Sequence, residues 1–290
     1  MTHDVLVIGS ANADLVVQAE RRPGAGETVL GGDTVIMPGG KGANTAVAAG
    51  KLGADVALLG AVGDDHYGTV LLESLRGAGV YTDLVRTTGR PTGIAYITVT
   101  PDGENSILVS PGANHVLEPA DVEGALTGAK VVVASLEVPV RTVERAIVAA
   151  ATAGVRTLLN LSPAATISDE TLGALDVLLV NEHEAAWLLG SATDPAKLLD
   201  LGPRAAVVTL GARGALVLTA DGAVEVPSPE VEAVDTTGAG DAFTGAFAAA
   251  LAGGADLEAA AHRAVRVAAV SVTRRGAQPS YPTAAELPGG

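Results

Sequence analysis

The sequence predicts an α/β fold: a doubly wound, mainly parallel sheet with helices on both faces, plus a small additional β-sheet. Three observations carry that expectation. "DVLVIG" (4–9), "DVALLG" (55–60), "KVVVAS" (130–135), "VRTLLN" (155–160), "DVLLV" (176–180) and "RAAVVTLG" (204–211) are short and almost wholly apolar, as strands buried on both faces are. Between them lie Ala- and Leu-rich segments of helical length, 41–53, 139–153 and 183–190 among them. Residues 14–36 and 92–110 break that rhythm and read as short strands joined by turns, with "PDGE" a hairpin signal.

In "GIAYITV" both alternating faces are apolar, Ile94 and Tyr96 on one, Ala95, Ile97 and Val99 on the other. Such a sheet needs cover on each side. One side can close over a ligand and the other meet a second subunit; alternatively the extension is buried wholly within one chain. In a doubly wound sheet, ligands gather at the C-terminal ends of the strands. With no repeat and no low-complexity linker, residues 1–290 read as a single domain.

Composition narrows the function classes. At 48 % hydrophobic and 18 % charged the chain is globular, and with 2 % aromatics its core must be built from Ala, Val and Leu. A net charge of −15 argues against nucleic acid and anionic membrane surfaces as partners. A helix N-terminus or a metal still allows an anionic small ligand. The absence of cysteine excludes disulfide and thiolate chemistry. The longest uncharged run, between Asp241 and Asp256, is too short to span a bilayer. "MTHDVLVIGS" lacks a basic leader and runs straight into a strand, so a cytoplasmic address is the default expectation.

Six motifs are candidates for chemistry. "GSANAD" (9–14) sets Asn12 and Asp14 two apart after the first strand, pointing the same way at the sheet's C-terminal edge or simply holding a turn. "GGKGAN" (39–44) strips side chains from a helix start and offers Lys41 and Asn44; its spacing is not that of the phosphate loop, and it is either a plain helix-start turn or a match for sugar hydroxyls. "SLEVP" puts Glu137 at a strand end, as a ligand-edge acid or a solvated loop acid, and "VNEHEAA" puts Asn181 and Glu184 in capping-box spacing, which either caps the helix or binds metal-linked water and phosphate. "TLGARG" (209–214) is a nucleotide turn or a plain hairpin. "DTTGAGDAF" (235–243) opens an Ala-rich helix with free N–H groups expected on Ala239, Gly240 and Asp241. Glycines at 238 and 240 let a phosphate touch the backbone, and Asp241 is either a cap or a proton acceptor for an attacking hydroxyl.

These motifs, with "GDD" (63–65), "GENSILVSPGAN", "LNLSPAA" and "TRRGAQPSYP", stand in the order and spacing of the ribokinase-like, phosphofructokinase-B-type carbohydrate kinases. The resemblance runs from about residue 4 to about 282. It implies ATP-dependent phosphorylation of D-ribose at its 5-hydroxyl, with Asp241 as base and the backbone of Gly238, Ala239, Gly240 and Asp241 as anion hole. Asn12, Ala13, Asp14, Gly40, Lys41, Gly42, Ala43, Asn44 and Glu137 match sugar-holding positions. Asn181, Thr209, Leu210, Gly211, Ala212, Arg213 and Gly214 match nucleotide positions, and Glu184 completes an Asn-x-x-Glu motif linked to magnesium and phosphate. A monovalent-cation site, normally potassium, is implied at Asp235, Thr237, Ser271, Arg274, Gly276 and Ser280, several acting through main-chain carbonyls. The two extra β segments would form a lid that also pairs subunits into a homodimer.

Three departures stand out. Met37-Pro38 precedes the double glycine where an aromatic is common in the family. Thr237-Gly238 replaces a bulkier pair, which implies a looser anion hole. Val265 stands where a histidine often contacts adenine, which bears on base selectivity. Other readings are a kinase for deoxyribose, another pentose or a nucleoside, and a silent sugar or nucleotide sensor. A nicotinamide-dependent oxidoreductase would need the G-x-G-x-x-G fingerprint that "GSANAD" lacks.

Overall fold

The computed structural model describes residues 2–190 and 193–287; positions 1, 191–192 and 288–290 of the predicted domain lie outside the described residues. From the N-terminus, β1 (Val5–Ile8) leads into β2 (Asn12–Gln18) and β3 (Val35–Gly39), then α1 (Lys41–Lys51), β4 (Val56–Gly63), α2 (His66–Gly77), β5 (Val80–Tyr81) and β6 (Val85–Thr88). A hairpin of β7 (Gly93–Val99) and β8 (Asn105–Ser110) follows. Next come β9 (Val131–Ser135), α3 (Val140–Thr152), β10 (Arg156–Asn160), α4 (Asp169–Gly173), β11 (Val177–Asn181), α5 (Glu182–Leu189) and β12 (Ala205–Thr209). The sheet ends with β13 (Ala215–Thr219) and β14 (Gly222–Val226), and α6 (Ala239–Ala252) and α7 (Leu257–Ser271) complete the helices.

Among the described residues the large sheet runs β14-β13-β12-β11-β10-β9-β1-β4-β5, with β6 beside the end of β4, and is parallel except at β13 and β14. This is the predicted doubly wound sheet. Its apolar strands are explained by the two cores they separate. Val5 and Val7 enter one core with Ala46 of α1, Leu71 of α2, Phe247 of α6 and Ala264 of α7, while Leu6 and Ile8 enter the other with Ile147 of α3 and Ala185 of α5. Alternate residues of a strand point to opposite faces, so helices on both sides require apolar residues at every position. From β1 the chain passes to β4 on one side and reaches β9 on the other. A crevice therefore opens at the C-terminal ends of β1 and β9.

The smaller sheet runs β3-β2-β7-β8. Its first two strands run from Asn12 to Gly39, wider than the 14–36 expected, because Asn12 pairs across to both Gly39 and Gly93. The register lines up Ile36, Leu15, Tyr96 and Leu108 in one row, and Ile36, Tyr96 and Leu108 are exposed by 45, 48 and 70 %. Asn12 and Asp14 lie on the opposite face. No helix among the described residues is long and apolar enough to cross a membrane.

Small residues set how closely α1 and α6 meet. A Cβ on Gly245 would stand 2.3 Å from the Thr45 carbonyl oxygen and 2.8 Å from the Ala48 Cβ. Gly245→Ala gains up to about 1 kcal/mol of helix propensity but forces the two helices apart at a cost of about 1–3 kcal/mol. We expect a net loss of stability, read as a lower urea midpoint at unchanged m-value.

Candidate active site

The start of α1 docks on the turn after β1. A Cβ on Gly42 would lie 2.5 Å from the Gly9 carbonyl carbon, and Gly40, the residue before the helix, has φ 90°. Both positions thus require glycine, one for close approach and one for a left-handed backbone. Ala43 N–H donates to Ser10 O at 2.8 Å and clamps helix to turn. The clamp delivers three donors to one oxygen of Glu137: Ser10 Oγ at 2.5 Å, Lys41 N at 3.1 Å and Asn12 Nδ2 at 3.4 Å all reach Oε2. Oε1 has no partner among the described residues. Asn114 Nδ2 donates to Asn12 Oδ1 at 2.7 Å, which turns the Asn12 amide so that its N–H group faces Glu137. Asn114 is itself held by Ala11, accepting from its N–H at 2.9 Å. Ala13 is buried.

Five ionisable groups, Asp14, Lys41, Glu137, Glu184 and Asp241, share this crevice. Burial, then the charges of Glu137 and Asp241, push the Asp14 carboxyl up to about 7. Burial works against the Lys41 ammonium, but the carboxylates of Asp241, Glu137 and Glu184 outweigh it and hold its pKa up. The Asp241 carboxyl is raised, chiefly by burial, with Lys41 and Asn44 acting in the opposite direction.

Asp241 sits in the first turn of α6, buried, and its Oδ2 accepts from Asn44 Nδ2 at 2.8 Å. Gly238 caps the helix with φ 72°, and its carbonyl accepts from Ala242 N–H at 2.8 Å and from the Tyr281 hydroxyl at 3.0 Å. A Cβ on Gly238 would lie 2.4 Å from the Tyr281 Oη, so the glycine makes room for the phenol that pins this turn. One expectation is corrected. Ala239 N–H is not free; it donates to Thr236 O at 3.2 Å, because residues 236–239 close a tight turn before the helix. The N–H groups of Gly240 and Asp241 have no partner among the described residues, and they form the positive end of the helix.

A polar cavity of about 220 Å³ lies over this helix start, lined by Lys41, Asn160, Ser162, Asn181, Glu184 and residues 238–241. Through Thr209, Thr236, Ala239 and Gly240 it joins an apolar cleft of about 540 Å³, which Phe243, Val265 and Val272 also line. In the 209–214 turn Thr209, Gly211, Ala212 and Gly214 border the cleft. Leu210 packs on the core beneath, and Arg213 pairs with Glu182. The same turn is the hairpin into β13. Asn181 and Glu184 likewise do two things. They form a reciprocal capping box at 2.8 Å in each direction while lining the polar cavity, and Glu184 Oε1 has no partner among the described residues.

The positions expected around a monovalent cation are brought together in part. Asp235 accepts from Thr237 N at 2.9 Å and Gly276 N at 2.8 Å, joining the loop before α6 to the loop after α7. Burial opposes its ionisation, but bonds from Thr237 and Gly276 outweigh it and lower its pKa. Ser271 and Ser280 are buried, with hydroxyls donating to Ala268 O and Ala277 O, both at 2.8 Å. The Arg274 guanidinium turns away to Glu286 at 2.9 Å. No cluster of three or more His, Cys, Asp or Glu suited to a metal occurs among the described residues.

Sequence reasoning did not single out Ser10, Asn114, Asn160, Ser162, Gln278 or Tyr281. Each stands inside a motif quoted above, yet nothing local shows that Asn114 meets Asn12, 102 residues earlier, or that Gln278 meets Asn44, 234 earlier.

The pfkB family carbohydrate kinase pattern matches residues 2–284. The chain is 43 % identical over 288 residues to a ribokinase of Bacillus subtilis, covering 98 % of both chains. It is 40 % identical over 293 residues to a deoxyribokinase of Salmonella typhi, covering 97 % of this chain and 96 % of that one. The solved structure of Arabidopsis thaliana ribokinase complexed with ribose and ATP superposes with a TM-score of 0.90 at 34 % identity, covering 98 % of this chain and 97 % of that chain.

The raised Asp14 carboxyl makes stability depend on pH. Its folded pKa of about 7 lies above the ordinary 3.8, so its stabilising contribution is complete below pH 3.8 and is lost as pH rises through 7. Solvent screening limits the loss to about 1–3 kcal/mol. Asp14→Asn is expected to raise the unfolding midpoint at pH 8 but not at pH 4, as read by thermal melts across that range.

Proposed function

The chain belongs to the pfkB family of carbohydrate kinases, and on that premise we propose that it transfers the γ-phosphoryl group of ATP to the 5-hydroxyl of D-ribose. The observation that carries this reading is the position of Asp241. Its carboxylate is bonded to Asn44 of the sugar-side motif, and its own N–H, with that of Gly240, opens on the cavity that continues into the apolar cleft.

Each part has a task. Asn12, Asp14, Lys41, Asn44 and Glu137 receive the sugar; the free Oε1 of Glu137 and the carboxyl of Asp14 accept from hydroxyls, and Lys41 donates. Adenine lies in the apolar cleft by Val265, and the phosphates run over Thr209 and Gly240 to the start of α6. The sugar hydroxyl oxygen attacks the γ-phosphorus, its proton passes to Asp241, and ADP leaves. The two free N–H groups stabilise charge on the transferring group. A base whose pKa is raised by burial suits proton transfer near neutral pH.

The donor chemistry fits the implied cations. Glu184, buried and with one oxygen unpartnered, would hold magnesium-bound water together with Asn181. Magnesium, when bound, neutralises phosphate charge. Asp235 and the carbonyls of the 237 and 271–280 loops are hard oxygen donors suited to potassium, which would order the segment leading to Asp241. The smaller sheet is the lid that excludes water, and its exposed Ile36–Tyr96–Leu108 row meets a second copy in a homodimer.

Asp241→Asn is expected to lower kcat by at least about a hundredfold while the sugar still binds, as measured by coupled assay and calorimetry; a variant that keeps most of its rate would remove Asp241 from the mechanism. The Salmonella relative makes 2-deoxy-D-ribose the first competing substrate. In a panel run with and without potassium, D-ribose should give the highest kcat/KM. Equal or better turnover of deoxyribose or adenosine would reassign the substrate.

A further inference from the structure

We propose that Gln278 is a positioning residue for the base: it directs the Asn44 amide so that an N–H group, and not a carbonyl oxygen, faces Asp241. This inference rests on the reading of Asp241 as the proton acceptor.

Four side chains from four parts of the chain form one hydrogen-bonded series. Ser74 Oγ on α2 donates to Gln278 Oε1 at 2.7 Å, Gln278 Nε2 donates to Asn44 Oδ1 at 3.0 Å, and Asn44 Nδ2 donates to Asp241 Oδ2 at 2.8 Å. Gln278, Asn44 and Asp241 are exposed by only 3, 5 and 6 %, so bulk water has little access to this series. The backbone under Gln278 is tied down as well: Lys51 Nζ donates to Gln278 O at 2.8 Å and Tyr281 O at 3.0 Å.

The two ends of an amide have nearly the same shape and opposite polarity. Asn44 therefore fits its space in either orientation, and its neighbours decide which one it takes. Gln278 offers an N–H group, which occupies the Asn44 oxygen and leaves the Asn44 nitrogen for Asp241. Reversed, Asn44 would set a carbonyl oxygen against Asp241, a contact that only the protonated acid tolerates. The Gln278–Asn44 pair is thus matched to ionised Asp241, the form that accepts a proton. The other ionisable groups facing Asp241 are Lys41 from α1, Asp14 from β2, Glu137 beyond β9, Glu184 from α5 and Tyr281 near the C-terminus, and none is altered in the test.

Gln278→Met, Gln278→Glu and Ser74→Ala are compared with the unaltered enzyme by kcat, KM for ATP, pH profile of kcat and unfolding midpoint. Gln278→Met keeps the shape and removes the donor; its kcat should fall about five- to twentyfold with KM for ATP within about twofold. Gln278→Glu offers Asn44 only acceptors and draws its nitrogen away from Asp241. Its kcat at pH 7 should fall further, and the acid limb should move up by at least about one unit. Ser74→Ala removes the outer link and should cost about two- to threefold. Unaltered kcat in Gln278→Met overturns the proposal. So do equal losses in the two Gln278 variants with unmoved acid limbs, which would mean packing alone. If Gln278→Glu fails to fold, the kcat loss at constant KM in Gln278→Met and Ser74→Ala decides. An inactive Asp241→Asn beside a fully active Gln278→Met defeats this inference alone, whereas an active Asp241→Asn defeats the reading beneath it.

Discussion

A buried carboxylate with other acids nearby is unfavourable unless something holds its charge, and the site is organised around that constraint at Asp241. Burial and the charges of Glu137 and Glu184 push its carboxyl up, while Lys41 and the Asn44 amide act in the opposite direction. Lys41 is in turn held charged by those same carboxylates against its own burial. The acid and the base of the crevice therefore depend on each other, and neither would ionise readily there alone. The N-termini of α1 and α6 converge on the same spot, so helix-start dipoles reinforce the preference for negative charge.

Close backbone approach is what allows the convergence. Gly42 against Gly9 brings the start of α1 onto the turn after β1, and Gly245 against Thr45 brings α6 onto α1. Without those contacts Asn44 and Asp241, 197 residues apart, would not meet at 2.8 Å. The shortage of aromatics serves the same end, since an interior of Ala, Val and Leu lets helices lie close to the sheet and to one another. Where bulk is needed it is supplied locally: Tyr281 fills the space that Gly238 leaves and pins its carbonyl. The small pair Thr237-Gly238 is therefore braced from outside the turn.

The apolar strands were legible because each is flanked by helices on both faces and shows its burial in a few consecutive residues. DVLVIG and KVVVAS became β1 and β9 within a residue at either end. The strands of the smaller sheet were read too narrowly, since Asn12 and Gly39 are polar or small and only their cross-strand partners make them strand residues. At the α6 start, glycine spacing correctly marked an exposed helix end but not the Ala239 bond back to Thr236, which depends on the turn's closure. In the cation set, Asp235 and Gly276 were found joined, while the Arg274 side chain was claimed by Glu286.

The sequence by itself determined the alternation of strands and helices, the side-chain-free turns and the motif order, because periodicity, caps and turn chemistry act over a few neighbouring residues. The tertiary structure alone decided which donors serve Glu137, that Asn114 orients Asn12, and that Gln278 reaches Asn44 across 234 residues. Those pairings depend on strand order and on how closely two helices pack, and no local window of the chain carries that information.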